Sequence, residues 1–188
     1  MGEDVGRGGL GRLIESVRPI GGSDEPRGRE WPRTVKGSPF PSEYRAFIDR
    51  FGGGYFEGDL CVLEPEQMRD ETMNAYSAWG DGDPANNVYT VWAGAPREIE
   101  LLAWGVSGYA DIVCWDLSTA DPESWATVVW DQTACEWSRY ESAFSEFLLA
   151  SAFDGYPDLG MTPSGDAIRY LSQAETSRRH AEDIPAWS

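Results

Sequence analysis

Residues 101–150 place three patterns one after another, and their order limits the folds that are open to this chain. Two aromatic-rich segments of strand character come first, LLAWGVSGYADIVCWDL and WATVVWDQTACEWSRY, and the amphipathic segment ESAFSEFLLA follows them. Strands joined by short turns and followed by a helix predict a small α+β domain whose sheet is closed by a C-terminal helix. This stretch contains no catalytic motif.

The strand-like segments also predict how the sheet is built. They are VYTVWAG, IELLAW, YADIVCWDL and WATVVW, and their turn-rich connections are short. Short connections favour antiparallel neighbours, so we expect a mixed, mostly antiparallel sheet with flanking helices. Both faces of YADIVCWDL are largely apolar, which is typical of a central strand. Ser138 and Glu141 form an S-x-x-E capping box, which predicts that the closing helix begins there and buries Tyr140, Phe144 and Phe147.

A second helix is predicted upstream of the sheet. Apolar residues at i, i+3, i+4 and i+7 follow Pro41, with Ser42 as a plausible N-cap and Gly52 as the stop. The inward residues of this helix are Tyr44, Phe47, Ile48 and Phe51. Gly53 and Gly54 extend the stop into a turn, and no GK[ST] sequence accompanies it to make a phosphate-binding loop.

Weaker patterns surround these elements. Pro65 predicts the first turn of a helix that places Met68, Met73, Tyr76 and Trp79 on one face. Residues 10–17 predict a short amphipathic helix, and residues 168–171 predict another before a frayed tail. We expect residues 1–30 to be glycine-rich and partly flexible, residues 31–156 to form the domain, and residues 157–188 to form a C-terminal extension.

The charge of the chain is strongly negative. It has 32 acidic and 15 basic residues, for a net charge of −17, and residues 41–160 hold 22 of the acidic and five of the basic ones. Such a field disfavours direct binding to nucleic acid and to anionic membranes. Two interpretations stay open, a solvated surface that favours solubility and electrostatic steering towards a basic partner.

The sequence offers few groups for nucleophilic catalysis or zinc binding. Three widely spaced cysteines argue against a disulfide framework and fit a reducing compartment. They are Cys61, Cys114 and Cys135, and we expect them to fill small apolar positions. The single histidine, His180, lies near the C-terminal end, which disfavours a cysteine–histidine mechanism and a tetrahedral zinc site.

Patterns for nucleotide and calcium binding are incomplete as well. Gly6, Gly8 and Gly11 match GxGxxG, but the five preceding residues leave no room for the required strand. A calcium loop that starts at Asp81 needs an acidic residue at position 92, where Trp92 stands. There is no apolar leader and no membrane-length segment, so we expect a cytoplasmic protein. Because the patterns for catalysis, metal binding and nucleotide binding are incomplete, we also expect a non-enzymatic protein without metal or cofactor.

Four motifs in order resemble the SUKH superfamily, which includes a fungal cell-wall synthesis regulator and bacterial immunity proteins that neutralise toxins. The motifs are a Pro-x-x-Tyr-x-x-Phe helix with its glycine turn, a Trp-Gly pair, an aspartate-bearing aromatic strand, and a strand that leads into the closing helix. The matching residues are Pro41, Tyr44, Phe47, Gly52, Gly53, Gly54, Trp104, Gly105, Asp111, Trp115, Tyr140, Phe144 and Phe147. The resemblance covers roughly residues 31–153 and implies protein binding rather than catalysis.

The leading hypothesis is therefore an immunity protein that binds a basic toxin domain, with nucleases as one candidate class. The alternative is a regulatory scaffold for signalling or cell-envelope synthesis, and the oligomeric state stays open. A hydrolase that uses Asp116 and Asp131 as paired carboxylates is a third, disfavoured hypothesis. The predicted partner contacts are acidic and aromatic residues expected at loops or strand ends: Trp79, Asp81, Asp83, Asp116, Asp121, Glu123, Asp131 and Glu136.

Overall fold

The structure, a computed structural model, describes residues 5–21, 28–56, 60–79, 99–154, 156 and 167–187. The helices of this part are α1 (Val5–Ser16), α2 (Ser42–Phe51), α3 (Met68–Trp79), α4 (Phe144–Phe153) and α5 (Gln173–Ala181). The strands are β1 (Val17–Pro19), β2 (Gly54–Phe56), β3 (Leu60–Val62), β4 (Leu101–Ser107), β5 (Ile112–Asp116), β6 (Thr127–Asp131), β7 (Glu136–Tyr140) and β8 (Ile168–Ser172). A 3-10 helix, Pro122–Ser124, lies between β5 and β6.

The described strands form one eight-stranded sheet in the order β1-β8-β2-β3-β4-β5-β6-β7. β1 and β8 are parallel, and the other neighbouring pairs are antiparallel. The predicted α+β class and the mixed, mostly antiparallel sheet are therefore confirmed. β1 and β8 come from the two ends of the chain, outside the predicted domain of residues 31–156, and they belong to the same sheet. The predicted strand at residues 88–94 lies outside the described residues.

Aromatic side chains join one face of the sheet to the helices that cover it. We call Tyr44, Trp104, Trp115 and Phe144 the aromatic cluster. The Tyr44 ring centroid lies 5.1 Å from that of Trp115 and 5.5 Å from that of Phe144. Trp104 lies 5.1 Å from Phe144 and 5.7 Å from Trp115. Edge-on and stacked rings at these separations attract each other beyond the area they bury, so the cluster anchors α2 and α4 on β4 and β5.

The opposite face is covered by α3 and α5. Cross-strand pairs place Leu171, Tyr55, Cys61 and Val106 in one row on this face. Further along the row, Trp137 contacts Trp79 of α3, with ring centroids 5.1 Å apart. β5 is buried along its whole length, which confirms the prediction of a central strand covered on both sides.

Helix α2 begins one residue earlier than a Ser42 cap requires. Pro41 is the N-cap, and Ser42 is the first helical residue. The Ser42 N–H and hydroxyl donate to the Glu123 carboxylate, at 2.8 and 2.9 Å. An acidic group from a neighbouring loop therefore occupies the positive end of the helix. The helix stops at Gly52, whose φ of 73° suits glycine and whose N–H donates to Ile48 O.

The closing helix α4 does not begin at the predicted capping box. Ser138 and Tyr140 lie in β7, where they pair with Val129 and Thr127 of β6. The helix starts at Phe144, and the Glu146 carboxylate accepts the Ala143 N–H at 3.3 Å. The prediction of a helix start at Ser138 is wrong because pairing with β6 outweighs the local capping signal.

Helix α3 buries only part of the face that was predicted. Its buried residues are Met68, Ala75 and Trp79, whereas Met73 and Tyr76 are 60% and 40% exposed. β3 pairs with the second half of β4, and α3 lies beside the first half. The Leu101 N–H donates to the Tyr76 hydroxyl at 2.8 Å. A side chain of α3 thus provides the acceptor for a backbone N–H group at the edge of β4.

The C-terminal extension contains a strand where a helix was predicted. Residues 168–171 lie in β8, whose Tyr170 hydroxyl donates to Gly52 O at 2.7 Å. Ser172 then caps α5 by accepting the Glu175 N–H. The predicted frayed tail is therefore helical up to Ala181. At the other end, the predicted helix at residues 10–17 is confirmed as α1, although Val17 already belongs to β1.

The approach of β8 to the glycine turn yields the first prediction. A Cβ atom at Gly54 would lie 2.4 Å from Leu171 O and 2.7 Å from Ser172 Cα, which are backbone atoms that cannot move aside easily. We expect Gly54→Ala to lower the free energy of unfolding in urea by about 2–3 kcal/mol. The matched control is Gly11→Ala in α1, where a Cβ meets open space. It should raise stability by about 0.5–1 kcal/mol, and equal effects of the two substitutions would contradict this account.

Candidate functional site

The predicted partner contacts differ widely in exposure. Trp79, Asp116 and Asp131 are buried, with 6%, 3% and 6% of their surface exposed. Asp121 and Glu123 are exposed, and Glu136 is half-buried. Asp81 and Asp83 lie outside the described residues. The three buried side chains are therefore poor candidates for direct contact with a partner, and we reassign them to structural roles.

Asp116 and Asp131 each hold a loop in place. Asp116 accepts the Ser118 N–H at 2.9 Å and forms an ion pair with Arg139 across the sheet. Asp131 accepts the N–H groups of Thr133 and Ala134, at 2.7 and 2.8 Å. Both carboxylates thus face local donors, not a cleft.

These two carboxylates cannot act as a catalytic pair. Asp116 stands next to Trp115, whose partner is Thr127, and Asp131 lies at the opposite end of β6. The two residues are separated by roughly 15 Å at the usual rise of a strand. Paired glycosidase carboxylates lie about 5–9.5 Å apart, so the paired-carboxylate hypothesis is wrong for these residues.

The exposed carboxylates are partly occupied by contacts within the chain. Glu123 caps α2 through Ser42, as described above. Asp121 accepts the Glu123 N–H at 3.1 Å and the Ser124 hydroxyl at 3.2 Å, which holds the 3-10 helix. Glu136 begins β7 opposite Asp131. Among the predicted acidic contacts that the structure describes, Asp121 and Glu136 are thus neither buried nor bound to α2.

A hollow that the sequence did not indicate lies on the sheet face between α3 and α5. We call it the sheet groove, and its volume is about 580 Å³. Its floor is the cross-strand row formed by Tyr55, Cys61, Val106 and Leu171. Its walls are Gln67 and Glu71 on the α3 side, and Gln173, Thr176, Ala186 and Trp187 on the α5 side.

The floor of the sheet groove is uncharged at neutral pH. Burial raises the pKa of the Cys61 thiol to about 11, so the sulfur stays protonated. The pKa of the Tyr55 hydroxyl is raised as well, first by its interaction with Cys61. A protonated thiol is a poor nucleophile, which argues against thiolate chemistry at Cys61.

The C-terminal wall of the groove is held by two arginines. Arg179 donates to Pro185 O at 2.8 Å, and Arg169 donates to Trp187 O at 2.6 Å. The Arg169 guanidinium also lies 5.9 Å from the Trp187 ring centroid. Glu175 accepts from Arg179 at 2.8 Å and thereby orients it. From the sequence, this segment could be described only as charged. Side-chain hydrogen bonds to backbone carbonyls, and a tryptophan that forms a groove wall, leave no periodic pattern from which they could be predicted.

A second hollow of about 510 Å³ lies on the other side of α3, and we call it the apolar hollow. Val35, Met73 and Tyr76 line it and are 84%, 60% and 40% exposed. Clustered exposed apolar side chains mark binding surfaces more often than isolated ones do. Arg33 and Arg69 also line this hollow.

Metal, disulfide and membrane features can be assessed only for the described part of the chain. In that part no three His, Cys, Asp or Glu residues are grouped to hold a metal ion, and no helix is long and apolar enough to cross a membrane. Cys61, Cys114 and Cys135 are free thiols. Cys135 is exposed in the β6–β7 turn with a φ of 55°, so the prediction that it fills an apolar position is wrong.

The family to which the chain belongs follows from its match to a family model. The model described as the SMI1 / KNR4 family (SUKH-1) matches residues 35–150, which is more than half of the chain. This protein is a member of the SUKH-1 family. The resemblance to the SUKH superfamily is therefore confirmed. Comparisons with curated proteins and with solved structures found no match.

The SUKH-1 match divides the sheet groove into two halves. Tyr55, Cys61, Glu71 and Val106 lie inside the matched residues, whereas β8, α5 and Trp187 lie beyond them. The aromatic cluster lies wholly inside the match. The aromatic cluster and one side of the groove thus lie within the residues matched to the family, and the other side is supplied by residues outside the match.

The roles assigned to the buried aspartates can be tested through stability. We expect Asp116→Asn to lower the free energy of unfolding by about 2 kcal/mol, because it leaves Arg139 without its buried anionic partner. The control is Asp70→Asn, which changes an exposed side chain of α3. It should lower the free energy of unfolding by less than about 1 kcal/mol. An unchanged stability in Asp116→Asn would contradict the structural role.

The acid stability of the C-terminal wall can be tested at Glu175. Hydrogen bonds from Arg178 and then Arg179 lower the pKa of this carboxyl from its ordinary value of 4.5 to about 2. Its stabilising contribution is therefore complete above pH 4.5 and is lost as the pH falls towards 2. We expect Glu175→Gln to be less stable than wild type at pH 7, with the difference shrinking over that acid range. Glu182→Gln, which removes an exposed partner of Arg178, should show a much smaller difference. A Glu175→Gln deficit independent of pH would contradict this origin.

Proposed function

We propose that this protein is an immunity protein that binds and neutralises a cognate bacterial toxin in the cytoplasm. Membership of the SUKH-1 family supports a protein-binding domain rather than an enzyme. The observation that carries the proposal is the charge of residues 41–160, which contain most of the family match and hold 22 acidic against five basic residues. An inhibitor with this charge suits a basic target.

A nuclease is the toxin class that best fits this charge. A nuclease must hold phosphate groups, so its active site carries positive potential. An acidic inhibitor would be drawn to that site by long-range attraction and would compete with the nucleic acid for it. Asp121 and Glu136 are the described acidic residues that we expect to contribute, and Asp81 and Asp83 stay candidates.

A regulatory scaffold is the second candidate function. The observation that favours it is the presence of two chemically different hollows on either side of α3. The sheet groove contains a carboxylate and amides, whereas the apolar hollow exposes Val35, Met73 and Tyr76. Two such surfaces suit two partners, and a scaffold would bind several of them with modest affinity.

The proposed function predicts one dominant partner whose association depends on salt. We would purify the protein from its native cell and test the product of the adjacent gene directly. We expect that product to kill cells when it is expressed alone and to be neutralised by co-expression. Its association rate should fall at least about tenfold between low and high salt, because steering is screened.

Charge variants distinguish long-range electrostatic steering of the partner from direct contact with it. The double substitution Asp121→Asn and Glu136→Gln should slow association and leave dissociation nearly unchanged. The control is Glu30→Gln, which removes an exposed carboxylate in the segment before the family match. Salt-insensitive binding would contradict the steering account. Several weak partners, lost when both termini are deleted, would favour the scaffold.

A further inference from the structure

The sheet groove is charged differently from the apolar hollow on the other side of α3. Its described lining residues include one carboxylate, Glu71, and no arginine or lysine. The apolar hollow, in contrast, includes two arginines, Arg33 and Arg69, beside one carboxylate, Glu66. Among the described hydrogen bonds of Glu71, the Asn74 side chain donates to Oε2 at 3.1 Å. The groove therefore presents an anion to any group that enters it.

The chemistry of the groove suits a long side chain with an apolar stem and a cationic end. Cys61 and Val106 provide an apolar floor, and Tyr55 and Trp187 add aromatic surface. Arginine and lysine bury their methylene stems on such surfaces while their charge meets an acceptor. Aromatic faces also attract cations.

The negative charge of Glu71 also affects buried thiol groups on this face of the sheet. Its negative charge contributes to the raised pKa values of both Cys61 and Cys114, after burial itself. Cys114 lies on the same sheet face as Cys61, two strands away. The field of Glu71 therefore extends across the face that the groove occupies, where a cation would be favoured.

We propose that the sheet groove binds one cationic side chain, arginine or lysine, of the partner protein. This inference rests on the proposed function, because it names the group by which a basic partner is recognised. The stem of that side chain lies on Tyr55 and Cys61, which are neighbours in the cross-strand row, and its charged end pairs with Glu71. Trp187 closes the side of the groove opposite α3.

Residues outside the SUKH-1 match complete the groove, so they determine which partner fits. Gln173, Thr176 and Trp187 follow residue 150, where the match ends. Arg169 and Arg179 hold the segment that carries Trp187. Selectivity therefore lies in the C-terminal extension, and the charge contact lies in the part that is matched to the family.

The test uses the full chain and defined peptide probes. We would titrate the ¹⁵N-labelled protein with acetyl-Gly-Arg-Gly-amide, with the lysine peptide, and with the citrulline peptide as an uncharged isostere of arginine. We expect the Gln67 and Gln173 side-chain amides, the Val106 amide and the Trp187 indole to shift, with dissociation constants of about 1 mM. The citrulline peptide should bind at least about fivefold more weakly than the arginine peptide. A comparison of the arginine and lysine peptides shows which of the two side chains the groove prefers.

Two variants locate the effect within the groove. Glu71→Gln should weaken binding of the arginine peptide at least about fivefold, and Trp187→Ala should weaken the cationic and citrulline peptides alike. Glu30→Gln removes an exposed carboxylate that does not line the groove and should bind like wild type. Equal binding of the citrulline and arginine peptides, or shifts outside the groove, would overturn the inference.

The outcomes separate this inference from the proposed function. If a toxin is neutralised and Glu71→Gln binds it with unchanged affinity, the groove inference fails and the immunity function stands. If the groove selects arginine over citrulline but the adjacent gene product is harmless, the groove inference stands and the toxin proposal fails.

Discussion

The packing of Tyr44 between β5 and α4 is the contact on which the rest of this structure depends. Its ring lies edge-on to Trp115 and Phe144, and its hydroxyl donates to Leu63 O at 2.6 Å. One buried side chain therefore joins two helices to the sheet and satisfies its own polar atom. Burial raises the pKa of this hydroxyl, which keeps it a donor. α2 is fixed by this contact, and Gly52 then turns the chain back to form β2 beside β8.

The two faces of the sheet are covered to different extents. The aromatic cluster and its neighbours fill the face below α2 and α4. On the other face, the sheet groove lies between α3 and α5, and Gln173 at the start of α5 donates to Gln67, just before α3, at 2.9 Å. A filled face contributes stability, whereas an incompletely covered face exposes side chains that can bind. The α3 helix shapes both surfaces, since its opposite sides line the sheet groove and the apolar hollow.

Negative charge in this chain has two separate roles. Asp111, Asp116 and Asp131 are buried and accept hydrogen bonds that hold turns, for example from the Ser107 hydroxyl to Asp111 at 2.6 Å. The remaining carboxylates include exposed groups such as Asp121, which are available to shape the field that a partner meets. A count of acidic residues cannot separate these roles, because an aspartate at a strand end has the same sequence context whether its carboxylate faces a loop N–H or solvent.

The sequence by itself determined the elements whose signal is local. The inward stripe of α2, the glycine that ends it, the buried β5 and the SUKH-1 motifs were all predictable, because amphipathic periodicity and turn chemistry depend on near neighbours. Only the tertiary structure decided that Ser138 and Tyr170 lie in strands, since a short strand gains its hydrogen bonds from residues far away in the chain. The same holds for the sheet groove, whose Glu71 and Trp187 come together only because the sheet carries α3 and the C-terminal segment to one face.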